Sequence, residues 1–136
     1  MARKRHLSRI AVMQVLFERE HRDGLNVDVT LDRDASELRE DGELDSEFAQ
    51  ALLQGVLENE TNIKEAIQKH APQWSLDRMD PISRCMLLVG AYELLYANDA
   101  PPAVVMNEAI EIAKEYGTEE SGKFVNGVLN AIAHAK

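Results

Sequence analysis

The sequence has little cysteine, glycine, proline or aromatic residue, and each shortage excludes a class of protein. Cys85 is the one cysteine among 136 residues, so an internal disulfide framework and cysteine-rich zinc modules are excluded. Seven glycines, four prolines and 5% aromatic residues disfavour a β-rich fold, whereas straight-chain helix formers are plentiful. No apolar run approaches the roughly 20 residues of a membrane span. The composition therefore predicts an all-α protein that does not enter a membrane.

Acidic residues are missing from the first 17 positions, although the whole chain has a formal net charge of −9. Those positions hold four basic residues, which leaves 11 of the 15 basic side chains against all 24 acidic ones in the rest of the chain. A general binder of polyanions would not have such a composition. The asymmetry permits one local basic patch that would hold a nucleic acid in one place, although charge alone favours the alternative of a solvated, frayed N-terminus.

The basic N-terminal segment also has the outline of a targeting peptide. Gln14 interrupts its apolar part, and Glu18 follows where a secretory signal would need small residues, so a secretory signal is disfavoured. A mitochondrial presequence over Ala2 to Phe17 stays an alternative. Together with the lone cysteine, these features lead us to expect a cytoplasmic protein.

Apolar periodicity, caps and breakers divide the chain into helices with short connections. Trp74 and Leu76 are expected to fill the core in a turn before Asp80, which is placed to cap the next helix. Short connections favour antiparallel neighbours in one compact helical domain over residues 1–136. The predicted helices are Ser8 to Arg19, a weak helix or loop between Leu25 and Gly42, Asp45 or Ser46 to His70 with a break near Asn59 to Asn62, a central helix from Ile82 to Tyr96, Pro102 to Gly117, and a last helix capped by Thr118.

The residue patterns of catalysis and metal binding are absent from the sequence. Gly122 and Gly127 have the spacing of a phosphate-binding loop, but Val128 and Leu129 replace its Lys and Ser/Thr. One Glu-x-x-His, at Glu18, has no second copy to complete a di-iron site. We therefore predict no enzymatic activity, no metal and no cofactor.

Two groups of residues are candidates for RNA binding. Arg5 and Arg9 share a face if the first helix begins early, and each could then fork onto a phosphate. Lys123 and Phe124 open the last helix, where an aromatic ring beside an amine could stack on an unpaired base, although periodicity alone favours Phe124 as the first core residue of its helix. If both groups converge in space, they form one surface for a flexible transcript. The full set is Arg3, Lys4, Arg5, His6, Arg9, Lys123 and Phe124.

Several stretches together resemble one protein family. In the C-terminal half these are Gly90 to Leu95, Pro101-Pro102 with Val104, Asn107 to Lys114, and Gly117 with Ser121 to Leu129; before them come Ser8-Arg9, Ala11, Gln14 to Phe17, Phe48, Leu53, Gly55, Val56 and Asn59. With these residues the chain resembles the bacterial transcription antitermination factor NusB family. The similarity covers most of the chain outside residues 24–44, and Lys123 to Leu129 is its most specific part.

The resemblance implies two packed antiparallel helix bundles and no enzymatic activity. It also implies binding of the boxA element of nascent ribosomal RNA together with NusE, a small-subunit ribosomal protein, within the RNA polymerase antitermination complex. The basic first helix and the pair Lys123-Phe124 match RNA-binding positions of the family. Positions that match or adjoin the surface for NusE are Phe17, Tyr92, Glu93 and Glu120.

Some residues depart from the family pattern, and other functions stay open. Leu7 and Ile10 replace polar residues of the first helix, and Ser83 replaces an acidic one, which bears on RNA affinity and NusE contacts. One alternative is a helical protein–protein adaptor without direct RNA binding. Another is a stand-alone relative of the RNA-binding domain of ribosomal RNA cytosine methyltransferases, for whose catalytic domain this sequence has no room. A homodimer of the free protein is also open.

Overall fold

A computed structural model describes residues 2–39 and 42–135, and all regular structure within them is helical. This confirms the all-α prediction. The chain forms two compact units, residues 1–55 and 56–136. The helices are α1 (Ala2–His21), α2 (Val27–Leu38), α3 (Ser46–Glu58), α4 (Glu60–His70), α5 (Pro81–Tyr92), α6 (Pro102–Tyr116) and α7 (Glu119–Ala135). None of the helices in the described part of the chain has the length and apolarity needed to cross a membrane.

In the first unit, α2 packs against α1. The first helix begins at Ala2, earlier than the predicted Ser8, so the basic residues stand on helical turns. The acidic segment left open between helix and loop forms α2, because Asn26 caps it by accepting a hydrogen bond from the Val29 N–H at 3.1 Å. Leu31 and Leu38 are buried on its inner face. Packing against α1 thus stabilises α2, whose acidic, short side chains favour a helix only weakly.

Ser8 joins α1 to the start of α3. Its buried hydroxyl accepts a hydrogen bond from the Asp45 N–H at 2.9 Å and donates to the Lys4 carbonyl at 2.7 Å. The Asp45 carboxylate in turn accepts from the Phe48 N–H at 3.0 Å, which caps α3 as predicted. These bonds fix Phe48 relative to the basic turns of α1.

The second unit is built from α4 to α7, with α5 in contact with α4, α6 and α7. Every residue of α5 from Cys85 to Ala91 is buried, which confirms that this is the central helix. α4 is separated from α3 at Asn59, inside the predicted break. The predicted central helix is α-helical to Tyr92 and continues as a π-helical turn over Glu93–Ala97, which ends at Asn98 with a left-handed φ of 53°.

Asp80 caps α5 and also contacts the first turn of α7. Its carboxylate accepts hydrogen bonds from the Ser83 N–H at 2.9 Å and the Ser83 hydroxyl at 2.6 Å at the start of α5. The Ser121 hydroxyl, in the first turn of α7, also donates to it at 3.3 Å. Thr118 accepts from the Ser121 N–H at 3.2 Å, as its predicted capping role requires. The starts of α5 and α7 are therefore tied together through one carboxylate.

The connector between α4 and α5 overturns one sequence expectation. Trp74 was expected to fill the core, but half of its surface is exposed (50%), and Leu76 is only partly buried. The connector runs over the surface, and the residues at its two ends that are buried are Ala71 and Met79 instead.

Candidate nucleic-acid interface

The first turns of α1 concentrate positive charge. Arg3 and Lys4 are exposed, Arg5 and His6 are half-buried, and the first turn contains no acidic residue. The helix dipole adds a partial positive charge at the same end. Negative side chains stabilise that end of a helix, so these cations destabilise it. Lys4 is partly neutralised by an ion pair to Glu43 at 3.4 Å. The cations and the helix dipole together form a positively charged surface that can attract a phosphate backbone.

Phe48 organises the two arginines that the sequence placed on one face. The guanidinium carbon of Arg5 lies 4.4 Å from the ring centroid and that of Arg9 lies 5.1 Å from it. Both are within cation–π range, and the in-plane N–H donors of a guanidinium over a ring can still reach other acceptors. Arg9 is 3% exposed, so the half-buried Arg5 is the better placed of the two to meet a phosphate.

Lys123 and Phe124 form a second cluster at the start of α7. Lys123 is exposed and pairs with Glu120 at 3.6 Å, a weak surface contact that a phosphate can replace. Phe124 is half-buried, unlike Val125, Val128, Leu129 and Ile132 of the same helix, which are fully buried. Its ring stands at the edge of the core and reaches the surface. Whether this cluster and the basic turns of α1 form one surface stays a prediction.

Trp74 belongs to the α7 cluster, although the sequence pattern did not assign it there. Its ring meets Phe124 edge to face, with centroids 6.1 Å apart and planes at 74°. The signal available in the sequence was its setting: the chain's one tryptophan lies among the polar residues of a proline-containing connector. Such a position predicts exposure rather than burial.

The four residues expected to contact a partner protein differ in accessibility. Glu120 is exposed, whereas Phe17 is half-buried and contacts the His21 ring, with centroids 4.7 Å apart and planes tilted by 34°. Tyr92 is half-buried and stacks on Tyr96 at 5.9 Å. Glu93, the first residue of the π-helical turn, is buried, with 3% of its surface exposed. A partner would therefore meet Tyr92 and Glu120 more directly than Glu93.

The carboxyl groups of Glu18 on α1 and Asp34 on α2 form a pair between the two helices. Burial, together with a hydrogen bond to Glu18 and repulsion from its charge, raises the pKa of Asp34 to about 7, while Arg33 opposes the rise. The hydrogen bond from Asp34 and the nearby Arg33 lower the pKa of Glu18. Arg33 forms ion pairs with both carboxyls. The proton on Asp34 is therefore held below neutral pH and lost as the pH rises through about 7.

Comparison with known proteins identifies the family. The NusB family model matches residues 6–134. The transcription antitermination protein NusB of Methylacidiphilum infernorum is 41% identical over 89% of this chain and 84% of its own length. Among solved structures, T. maritima NusB has 38% identity and a TM-score of 0.83, covering 95% of this chain and 89% of its own. A crystal structure of the antitermination factors NusB and NusE in complex with dsRNA superposes over 100% of both chains, with a TM-score of 0.86 and 30% identity.

These similarities define an all-helical, non-enzymatic transcription antitermination factor. The chain belongs to the NusB family. The resemblance seen in the sequence and the prediction of a protein without enzymatic activity are both confirmed.

Proposed function

We propose that this protein binds boxA-type single-stranded RNA in ribosomal RNA leader transcripts together with the ribosomal protein NusE. In this proposal it acts as one component of the RNA polymerase antitermination complex, in the bacterial cytoplasm where transcription takes place. Support comes from the family and from a structural neighbour that holds NusE and dsRNA. The RNA contacts we assign are Arg3, Lys4, Arg5, His6, Lys123 and Phe124, and the buried Arg9 of the predicted set supports them through the Phe48 ring that it shares with Arg5.

The observation that carries the proposal is the cationic end of α1 in an otherwise acidic chain. A net charge of −9 repels RNA from most of the surface, so a transcript is attracted most strongly where the charge reverses. The first turns of α1 supply that reversal, and Phe48 holds Arg5 in place before RNA arrives. The buried guanidinium of Arg9 lies over the same Phe48 ring and supports this arrangement. A few phosphate contacts of this kind give weak, salt-sensitive binding.

The acidic remainder of the chain suits a basic partner such as a ribosomal protein. Opposite charges would steer NusE towards the protein, and the partner would supply the rest of the RNA surface. The contacts that we propose for NusE are Phe17, Tyr92, Glu93 and Glu120. The free protein is further proposed to form a homodimer, which analytical ultracentrifugation with and without NusE tests directly.

The test of RNA binding is a titration of labelled boxA-type RNA at two salt concentrations, with and without NusE. Arg5→Ala should weaken binding and reduce the slope of log K against log salt by about 0.7, the value for one phosphate contact on a single strand. Lys64→Ala is the matched control, since Lys64 is also a partly exposed cation but is paired with Glu60 at 3.1 Å on α4. Its salt slope should equal that of the unmodified protein.

Two results would count against the proposal. Equal RNA affinities and equal salt slopes for the Arg5 and Lys64 variants would show that RNA does not bind to the basic turns of α1. Binding of NusE without any RNA binding, alone or in the complex, would favour the helical adaptor instead. A duplex of the same sequence, run in parallel, decides whether the RNA must be unpaired.

A further inference from the structure

Two cavities of the second unit are lined by the same two aromatic rings. Trp74 and Phe124 both border a cavity of about 380 Å³, which His70, Lys123 and Val128 also line. They also border a second cavity of about 240 Å³. The rings that the cavities share are the edge-to-face pair described above, whose planes are nearly perpendicular at 74°.

The charges around the two cavities differ. The larger cavity is lined by the cation Lys123 and by no carboxylate of the described residues, whereas Asp80 and Glu120 line the smaller one beside Arg78. An RNA strand brings a phosphate with every base, so a base and its phosphate are accommodated best where an amine is present and acids are not. Charge therefore selects the larger cavity for a nucleotide.

The position of Trp74 is fixed by hydrogen bonds of its backbone. The Gln68 side-chain amide donates to the Trp74 carbonyl at 2.6 Å and to the Ala71 carbonyl at 3.0 Å, and its oxygen accepts from the Leu76 N–H at 3.1 Å. The Arg84 guanidinium donates to the Leu76 carbonyl at 2.8 Å and the Met79 carbonyl at 2.7 Å. A half-exposed indole on a pinned connector is an anchored surface, which loses little entropy when a ligand stacks on it.

From these observations we infer that Trp74 completes a site for one unpaired RNA base in the larger cavity, with Phe124 as its second wall and Lys123 as its phosphate contact. A base stacked parallel to the indole would meet Phe124 edge to face, and aromatic rings favour both arrangements. This inference rests on the proposed RNA binding and adds to it a residue and a place for one base. It also explains why a large aromatic side chain such as Trp74 is half-exposed, although it does not fill the core.

The test uses Trp74 as its own reporter, because it is the one tryptophan of the chain. Unlabelled single-stranded boxA-type RNA is titrated into the protein while tryptophan emission is recorded, and a parallel titration follows the anisotropy of the same RNA carrying fluorescein. Stacking of a base on the indole should quench the emission with the same midpoint as the anisotropy change. Trp74→Ala should lower the affinity roughly 5- to 150-fold, the range for loss of one base–aromatic stack.

Two variants separate stacking from other effects. Trp74→Phe keeps an aromatic ring and should lose less affinity than Trp74→Ala, whereas Tyr96→Ala, which removes another exposed aromatic residue of the unit, should lose none. RNA with a single abasic position, moved along the strand, should weaken binding to the unmodified protein at one position and leave Trp74→Ala unaffected there. Circular dichroism melting confirms that the variants are folded; if Trp74→Ala is not, the quenching and Trp74→Phe decide.

The outcomes distinguish this inference from the proposed function. RNA that binds without changing the emission, and equally well to Trp74→Ala, would overturn the base site and leave RNA binding elsewhere intact. RNA that does not bind the unmodified protein under any condition would overturn the proposed function and the base site together.

Discussion

Replacing Asp34 by asparagine is expected to stabilise the protein above neutral pH. Asp34 is 3% exposed, and its Oδ2 has no hydrogen-bond donor in the described structure. Protonation makes Asp34 a donor to the Glu18 carboxylate, whereas ionisation sets two carboxylates against each other in a buried place. An asparagine amide keeps the donor at every pH and carries no charge.

The size of the effect follows from the difference between the two states of the chain. Asp34 has a pKa of about 7 when folded, against an ordinary value of 3.8. Between these values the folded protein holds a proton that the unfolded chain has lost, so stability falls as pH rises through this window and the loss is complete above about pH 7. Three pH units correspond to about 4 kcal/mol, and partial relaxation with Arg33 nearby reduces the expected loss to about 1–3 kcal/mol.

The assay is urea unfolding followed by helical circular dichroism between pH 5 and pH 8.5. Asp34→Asn should raise the free energy of unfolding by about 1–3 kcal/mol at pH 8 and by less than half of that at pH 5, since pH 5 lies only about one unit above the ordinary pKa of 3.8. Asp32→Asn, an exposed aspartate of the same helix, serves as the control for changing net charge. A stability of the unmodified protein that rises between pH 5 and pH 8 relative to Asp34→Asn would refute the reasoning, as would a variant that is less stable at pH 8.

Two further substitutions test the hydrogen bonds that position the helices. Ser8→Ala should lower the free energy of unfolding by about 1–3 kcal/mol in urea, because it leaves the Asp45 N–H without its acceptor; an unchanged midpoint would contradict that role. Asp80→Ala should cost about 1–3 kcal/mol, since the Ser83 N–H and the hydroxyls of Ser83 and Ser121 lose one shared acceptor. Asp80→Asn retains an acceptor and should cost less, so equal losses for both would show that capping is not the cause.

Local signals made much of the fold predictable from the sequence. The pair Asp80-Pro81 begins α5, Pro102 begins α6 and Thr118 precedes α7, because caps and prolines act on their immediate neighbours. The helix α2 could not be settled in this way, since its stability comes from packing on α1. The π-helical turn after Tyr92 likewise has no local signal that periodicity detects.

The charged residues of the candidate site could be predicted from the sequence, whereas the aromatic residues that position them could not. Arg5 and Lys123 stand out in an acidic sequence by residue type alone. Their partners Phe48 and Trp74 do not, because an aromatic residue in a sequence is first expected to be buried. The bonds of Ser8 and Gln68, which bring those rings to the surface clusters, join residues that the sequence pattern does not connect.

Gln68 occupies a position that admits few other side chains. It faces two carbonyl groups and one N–H of the connector and satisfies all three with a single planar amide. Glutamate would turn an oxygen towards the two carbonyls. Leucine would remove all three hydrogen bonds, and the Ala71 carbonyl alone would keep another donor, the Trp74 N–H at 3.1 Å. The orientation of the indole six residues further on thus depends on the chemical asymmetry of one amide.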